Sequence, residues 1–394
     1  MKGLAREVCI IGVGMHRFGK FFDKGLKELT KVAVWNAIHD SGVDPKRIQA
    51  AYFANVLGGL TTGQEAIRGH VCLRQAGFER IPIVNVEGAC ASGTMALRES
   101  ILAIASGMYD VVLAAGAEKL YLDDTARSIK AMASNTDIET MGGIGFQFTG
   151  AYAMSLKKYM KNYGWTREHF AKVAAKNKFN GSLNPNAQYQ KPLTVEEILA
   201  SRIIAWPLSL YMCSTMADGS AAAIVCAKDV ADKMGLKTPI NIAACCLQSG
   251  QVSPEDDGQK SVAAEAYEMA GVGPEDIEVA EVHDAMAPGE MFRLVNLGIC
   301  RPEDICRLID QEHFSLKGPM PVNTSGGLAA RGHPIGATGL AQVAELVWQM
   351  RQEAGPRQAP GRKGAPYPKI GLAQNSGGYL EGSPAALSVT ILRR

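Results

Sequence analysis

VNVEGACASGTMALRESILAIA, residues 84–105, is the stretch that decides the fold of this chain. The apolar run at 81–86 reads as a buried strand stopped by Gly88. Residues 92–106 read as a mostly apolar helix ended by Gly107. Between them, Cys90 sits on a turn of small residues, Gly88, Ala89 and Ala91. Alternation of strand and helix is the signature of a layered α/β fold. A thiol on this turn lies at a helix N-terminus, where unpaired N–H groups and the helix dipole favour negative charge. That setting brings a cysteine pKa down from about 8.5 to roughly 3.5–7.5, which makes a nucleophile. A small buried thiol that merely packs is the plainer reading. The rest of the chain decides between them.

The alternation continues outward. Upstream come a strand at 8–13, a helix at 26–40 and a strand at 50–56; Leu26, Leu29, Ala33, Ala37 and Ile38 form the helical stripe. Gly12 and Gly14 suggest a dinucleotide loop, but the next glycine is Gly19, so the required spacing fails. Downstream lies a strand at 110–115. From 119 to 206 the pattern breaks: helical stretches at 150–163 and 167–178 precede the polar run NGSLNPNAQYQKP at 180–192. The sheet resumes at DGSAAAIVC, 218–226. So long an insertion in a regular α/β domain reads as a lid over substrate.

The second half begins again, with a strand from 239 (INIAACCL) and a helix at 261–270. AGVGPEDIEVAEVHDA at 270–285 repeats SGVDPKRIQAAYFANV at 41–56 in its Gly, Val, Pro, Ile and Ala positions. ATGLAQVAEL at 337–346 opens a helix as ASGTMALRES does at 91–100, and a strand-like segment with Asn85 or Asn323 precedes each. The chain therefore reads as two copies of one α/β unit. Cys90 and Gly336 occupy equivalent places, each just before a helix. If the copies pack about a pseudo-twofold axis, those helix starts face one another. His333, three residues before Gly336, then reaches the thiol, giving a nucleophile with its base. His283 follows the strand VAEV and points toward the same crevice, at the strand ends where open α/β sheets place ligands.

With 394 residues, 47% of them hydrophobic and 20% charged, the chain can bury large cores and two domains are expected. A net charge of +2 argues against a dedicated nucleic-acid or membrane-surface binder. No apolar run approaches the ~20 residues of a membrane span, and no signal peptide is evident. The nine cysteines form no zinc-binding spacing, which fits reduced thiols in a cytoplasmic protein with no metal of its own. Cys245 and Cys246, adjacent on a strand, should face opposite ways. The basic, Pro-rich segment 352–369 reads as a solvated connection.

Three stretches make these features specific. GACASG around Cys90, HDAMAPGE at 283–290 and SGGLAARGHPIGATG at 325–339 resemble the nucleophile, His-Asp and Gly-His-Pro loops of the thiolase superfamily. The resemblance covers essentially the whole chain and is nearest to sterol-carrier-protein-type and archaeal thiolases, with some likeness to the thiolase subunits of anaerobic aromatic degradation, benzoylsuccinyl-CoA thiolase among them. It implies an α/β thiolase-like fold: an N-terminal half from 1–118 plus 207–235, an inserted lid at 119–206, and a C-terminal half at 236–394. It implies cleavage of a 3-oxoacyl-CoA by coenzyme A, or the reverse condensation. Cys90 would become acylated, His333 would activate it, and His283, or a group reached through water, would serve the substrate's α-carbon and enolate. The backbone amides of Cys90 and Gly377 would hold the acyl carbonyl. Coenzyme A enters as co-substrate; a homodimer and a small zinc-ribbon/OB-fold partner subunit are implied as well.

The chain departs from the family pattern at two points. Asn375 stands where many thiolases carry a second catalytic cysteine, and Ala285 stands where sterol-carrier-protein-type enzymes carry theirs. Alternatives therefore stay open: a decarboxylating condensing enzyme, a hydroxymethylglutaryl-CoA-synthase-like enzyme with Glu118 as its acid, or a catalytically degenerate CoA-binding subunit.

Overall fold

The computed structural model describes residues 5–236, 238–252 and 258–394. The first four residues of the expected N-terminal half lie outside that range. The strands are β1 (Val8–Gly19), β2 (Ala50–Ala54), β3 (Ile83–Val86), β4 (Val111–Glu118), β5 (Ile203–Ala205), β6 (Leu208–Ser209), β7 (Asp218–Ala227), β8 (Ile240–Gln248), β9 (Val279–Glu281), β10 (Ile370–Gly377) and β11 (Ala386–Arg393). Nine of them form one sheet in the order β3-β2-β4-β7-β1-β8-β11-β10-β9.

The duplication is written into this hydrogen bonding. In the first half β2 runs parallel to β4, and β4 and β1 each pair antiparallel with β7. In the second half β9 runs parallel to β10, and β10 and β8 each pair antiparallel with β11. The halves join where Cys9 and Ile10 of β1 pair with Asn241 and Ile240 of β8. The counterpart of β3 shrinks to a single parallel bridge, Ala280 to Val322, next to Asn323.

Every residue of β4 and β7 is buried, as expected of strands covered by helices on both faces. The helix Leu26–Ser41 covers one face of the first half. Gly12 and Gly14 are needed there: a Cβ on either would stand 2.3 Å from backbone atoms of Ala37. The glycines that resemble a dinucleotide loop thus mark a close strand–helix contact. The helices Ser92–Ala105 and Thr338–Arg351 share the layer between the two halves, in one core with Val112, Ala223 and Val279. The helix Gln259–Ala270 covers the outer face of the second half.

Two local readings need correction. The 81–86 segment is an edge strand and not a buried one: β3 pairs only with β2, and Val84 is 44% exposed. Its apolar run reflects β-propensity and partial cover on one side. The 352–369 segment is not all solvated, because Arg357 is buried with its Nε 2.9 Å from both carboxylate oxygens of Glu345. The thiols of Cys245 and Cys246 do face opposite sides, Cys246 into the outer core and Cys245 against the central one.

The insertion supplies helices Phe148–Tyr163 and Arg167–Ser182 and packs on the second half. Trp165 and Phe170 are fully buried there, with Trp165 Nε1 donating to Pro302 O at 2.9 Å. β5 and β6 pair with each other across the expected boundary between residues 206 and 207.

Candidate active site

The turn that carries Cys90 is strained and pinned. Ala89 has φ +49°, an uncommon value for a residue with a side chain. The Ser92 hydroxyl accepts from Gly88 N–H at 2.8 Å and donates to Ala89 O at 2.6 Å, and Glu87 accepts from Ala89 N–H at 2.6 Å. A short 3-10 turn, Ala89–Ala91, then leads into the Ser92 helix. The second copy builds the same device: the turn Ile335–Ala337 leads into the Thr338 helix, which has 14 residues like its counterpart.

The two helix starts touch. A Cβ on Gly339 would lie 2.2 Å from Thr94 Oγ1, and one on Gly93 would lie 3.0 Å from Gly336 O. This contact brings His333 to Cys90, with Nε2 3.3 Å from Sγ. On its other side His333 Nδ1 lies 2.7 Å from Thr338 Oγ1, which itself is 3.0 Å from Pro334 O. A carbonyl can only accept, so the Thr338 proton goes to Pro334 and its oxygen accepts from Nδ1–H. The Nε2 lone pair is left facing the thiol.

His283 is fixed by a longer relay. Gln342 Nε2 donates to the carbonyls of Glu281 and Gln374 at 3.3 and 2.9 Å, so its Oε1 accepts from Asn375 Nδ2 at 2.9 Å. Asn375 Oδ1 therefore faces His283 Nδ1, 3.1 Å away, and the ring's proton sits on Nδ1. Asn375, which stands where many thiolases carry a second catalytic cysteine, orients a histidine. Asp284 does not pair with His283: it accepts from Leu328 N–H at 2.6 Å and Asn177 Nδ2 at 2.9 Å. The His283 and His333 rings meet edge to face at 5.2 Å, and one ligating atom from each of Cys90, His283 and His333 lies within 4.8 Å of the others.

Electrostatics correct the expectation of a thiolate at rest. Cys90 is half-buried, but the protein around it desolvates the sulfur and, with Glu118 and Glu87 nearby, pushes the thiol up to about 12. Amides of Gly378 and of Cys90 itself pull the other way without prevailing. Burial and Arg331 push His333 down to about 3. Burial, with His333 and Arg293, also holds His283 well below the usual range. The Cys90 and His333 shifts both favour a neutral thiol against a neutral imidazole at rest, because burial disfavours the charged form of each group.

The amide of Gly378 is directed at the sulfur, as is that of Cys90 itself. Gly377 serves the close approach of the two strands of chain: a Cβ there would lie 2.2 Å from Gly88 O. Glu118 is fully buried, and its carboxylate accepts from Asn55 Nδ2 at 3.0 Å and from the amides of Val56, Leu57 and Gly336 at 3.1 Å each. It ties the first half to the Gly-His-Pro loop and does not line the reaction cavity.

A cavity of about 290 Å³ opens onto Cys90, His283 and His333. The insertion provides one wall with Phe148, Tyr152 and Tyr159; Met286, Phe292 and Tyr379 provide others. Among its described lining residues Cys90 is the only thiol. Sequence reasoning missed Thr338, Gln342 and Gly378. Thr338 was findable, five residues beyond His333 at a helix start; the Gln342–Asn375 contact spans 33 residues and leaves no local pattern.

Comparisons with known proteins agree with this geometry. The thiolase N-terminal domain model matches residues 8–229, and the model described as thiolase C-terminal domain-like matches 251–392. An acetyl-CoA acetyltransferase of Methanothermobacter thermautotrophicus is 39% identical over 98% of this chain and 99% of its own. The benzoylsuccinyl-CoA thiolase subunit BbsB of Thauera aromatica is 34% identical over 95% of this chain and 96% of its own. Among solved structures, one titled Ltp2-ChsH2(DUF35) aldolase superposes with TM-score 0.80 at 25% identity, covering 98% of this chain and 97% of the other. The human mitochondrial 3-ketoacyl-CoA thiolase shares the fold, with TM-score 0.74 at 19% identity and 99% of both chains covered. With family models over both halves and whole-length relatives in agreement, the chain belongs to the thiolase family and is an acyltransferase.

Proposed function

We propose that this protein cleaves a 3-oxoacyl-CoA with coenzyme A, or runs the reverse condensation, through an acyl thioester on Cys90. The observation that carries the reading is the 3.3 Å contact between Cys90 Sγ and His333 Nε2 on a cavity that His283 also faces. His333 takes the thiol proton as the sulfur attacks the 3-keto carbon. The bond between C2 and C3 breaks, leaving the acyl group on Cys90 and a CoA enolate. The proton taken from Cys90 is the one C2 needs, and His283 Nε2, beside His333, passes it there. In the synthetic direction the same nitrogen removes the α-proton. A second CoA thiol then gives its proton to His333 and attacks the thioester; Cys90 recovers that proton as it leaves. The amides of Cys90 and Gly378 hold the acyl oxygen as it becomes negative, each such donor contributing about 3 kcal/mol to the barrier.

The aromatic walls and the 34% identity to BbsB support an aromatic or branched acyl group, benzoylsuccinyl-CoA being one such substrate. CoA enters beneath the insertion. The open edge of β3 supports a homodimer, and the neighbour whose title joins it to DUF35 supports a small zinc-ribbon/OB-fold partner. Nine free cysteines support a reducing, cytoplasmic setting. The test offers straight-chain, branched and aromatic 3-oxoacyl-CoAs with free CoA, with and without a co-purified small subunit. Thiolysis products from one class sustain the reading; no C2–C3 cleavage of any of them overturns it.

A further inference from the structure

We propose that Cys90, His283 and His333 also form a binding site for a thiophilic divalent cation, Zn²⁺ first among them, that reversibly switches the enzyme off. The three ligating atoms already lie within 4.8 Å of one another, and Cys90 Sγ and His333 Nε2 are 3.3 Å apart. Zinc bound tetrahedrally at about 2.3 Å from sulfur and about 2.0–2.1 Å from nitrogen spaces its ligand atoms by roughly 3.3–3.7 Å. The site closes on such an ion with side-chain shifts of about 1 Å.

The shell behind these residues is the second, independent observation. A zinc-binding imidazole donates its remote N–H to a fixed oxygen, which sets the tautomer and aims the other lone pair at the ion. Both histidines are held this way: His333 Nδ1 is 2.7 Å from Thr338 Oγ1 and His283 Nδ1 is 3.1 Å from Asn375 Oδ1. Each acceptor is itself anchored, Thr338 on Pro334 O and Asn375 on Gln342. Two lone pairs and one sulfur thus converge, and the fourth direction opens on the cavity. That is the three-ligand, open-position plan of a reactive zinc site and not of a closed structural one. Binding replaces the Cys90 S–H bond with an S–Zn bond and releases one proton to solvent, with no change of oxidation state. It occupies the nucleophile and its base at once.

The test uses metal-free, full-length protein with Co²⁺ as the spectroscopic probe and Zn²⁺ as competitor. One Co²⁺ per chain should give a thiolate-to-cobalt charge-transfer band that Zn²⁺ displaces and saturating acyl-CoA suppresses. Cys90→Ser should abolish the band, His283→Gln and Asn375→Leu should weaken binding about 10–100-fold, and Cys245→Ser should leave it unchanged. Circular dichroism of each variant establishes that it is folded. Stoichiometric Zn²⁺ should stop turnover, and a chelator should restore it. A missing band, a band that survives Cys90→Ser in full, or full turnover with Zn²⁺ bound overturns the proposal. Because the optical readout needs no turnover, its failure is distinct from failure of the thiolase reading.

Discussion

The turn at Cys90 and the turn at Gly336 are the same piece of architecture, built twice and used differently. Both are three-residue 3-10 turns opening a 14-residue helix in the central layer. At the first apex a side chain has room and faces the cavity. At the second there is none: a Cβ on Gly336 would stand 2.9 Å from Ala117 O and 3.0 Å from Ala54 O. The second copy's chemistry sits three residues earlier, on His333. Duplication thus supplies a symmetric frame, and the reaction depends on breaking the symmetry at its axis. In the proposed mechanism one helix start holds the nucleophile, and the other is flattened so that the base can lean across.

The sharpest way to break that comparison is to remove the nucleophile. Cys90→Ser should lower kcat on the order of 10⁴-fold or more, and adding Gly336→Cys should restore nothing, because that apex does not face the cavity. Steady-state rates with a competent 3-oxoacyl-CoA check both. His333→Ala should cost about 10²–10⁴-fold in kcat, the usual share of a positioned base.

The frame itself is tested at its contact point. Gly339→Ala places a methyl 2.2 Å from Thr94 Oγ1 and 2.6 Å from Thr94 N, whereas Gly93→Ala meets its nearest atoms at 3.0 and 3.1 Å. The first should lower stability by about 1–3 kcal/mol and the second by less, read as the difference in Tm. Equal losses would mean that the helix starts are not docked as described. Thr338→Val, which takes away the acceptor for His333 Nδ1–H, should lower kcat about 30-fold with KM little changed. Thr338→Ser should recover the rate, an outcome that a purely structural role would not require.

A separate prediction concerns the resting proton. With the Cys90 thiol pushed up and the His333 imidazole pushed down, both groups are expected to be neutral across pH 5–9. Alkylation of Cys90 by iodoacetamide should then rise about tenfold for each pH unit over that range, following the thiolate fraction. A plateau near neutrality would reveal a thiolate–imidazolium pair instead.

Much of this was legible in the chain because it is local. The Gly-His-Pro loop, the small residues around Cys90 and the repeated Gly-Val-Pro-Ile-Ala pattern each lie within about fifteen residues. What was not legible depends on distance. A helix start favours an acidic thiol, desolvation opposes it, and only the packed fold reveals how dry the site is. β3 was read as buried because an apolar run does not say which strand ends at a sheet edge. The roles of Asn375 and Gln342 arise from the crossing of β10 with the Thr338 helix, which joins residues 33 apart in the chain.

One measurement bears most directly on the account: incubation with excess 3-oxoacyl-CoA in the absence of free CoA, followed by intact mass and peptide mapping. The expected result is a single acyl increment, confined to the peptide bearing Cys90, discharged on adding CoA. No increment, or one carried by another of the nine cysteines, would contradict it.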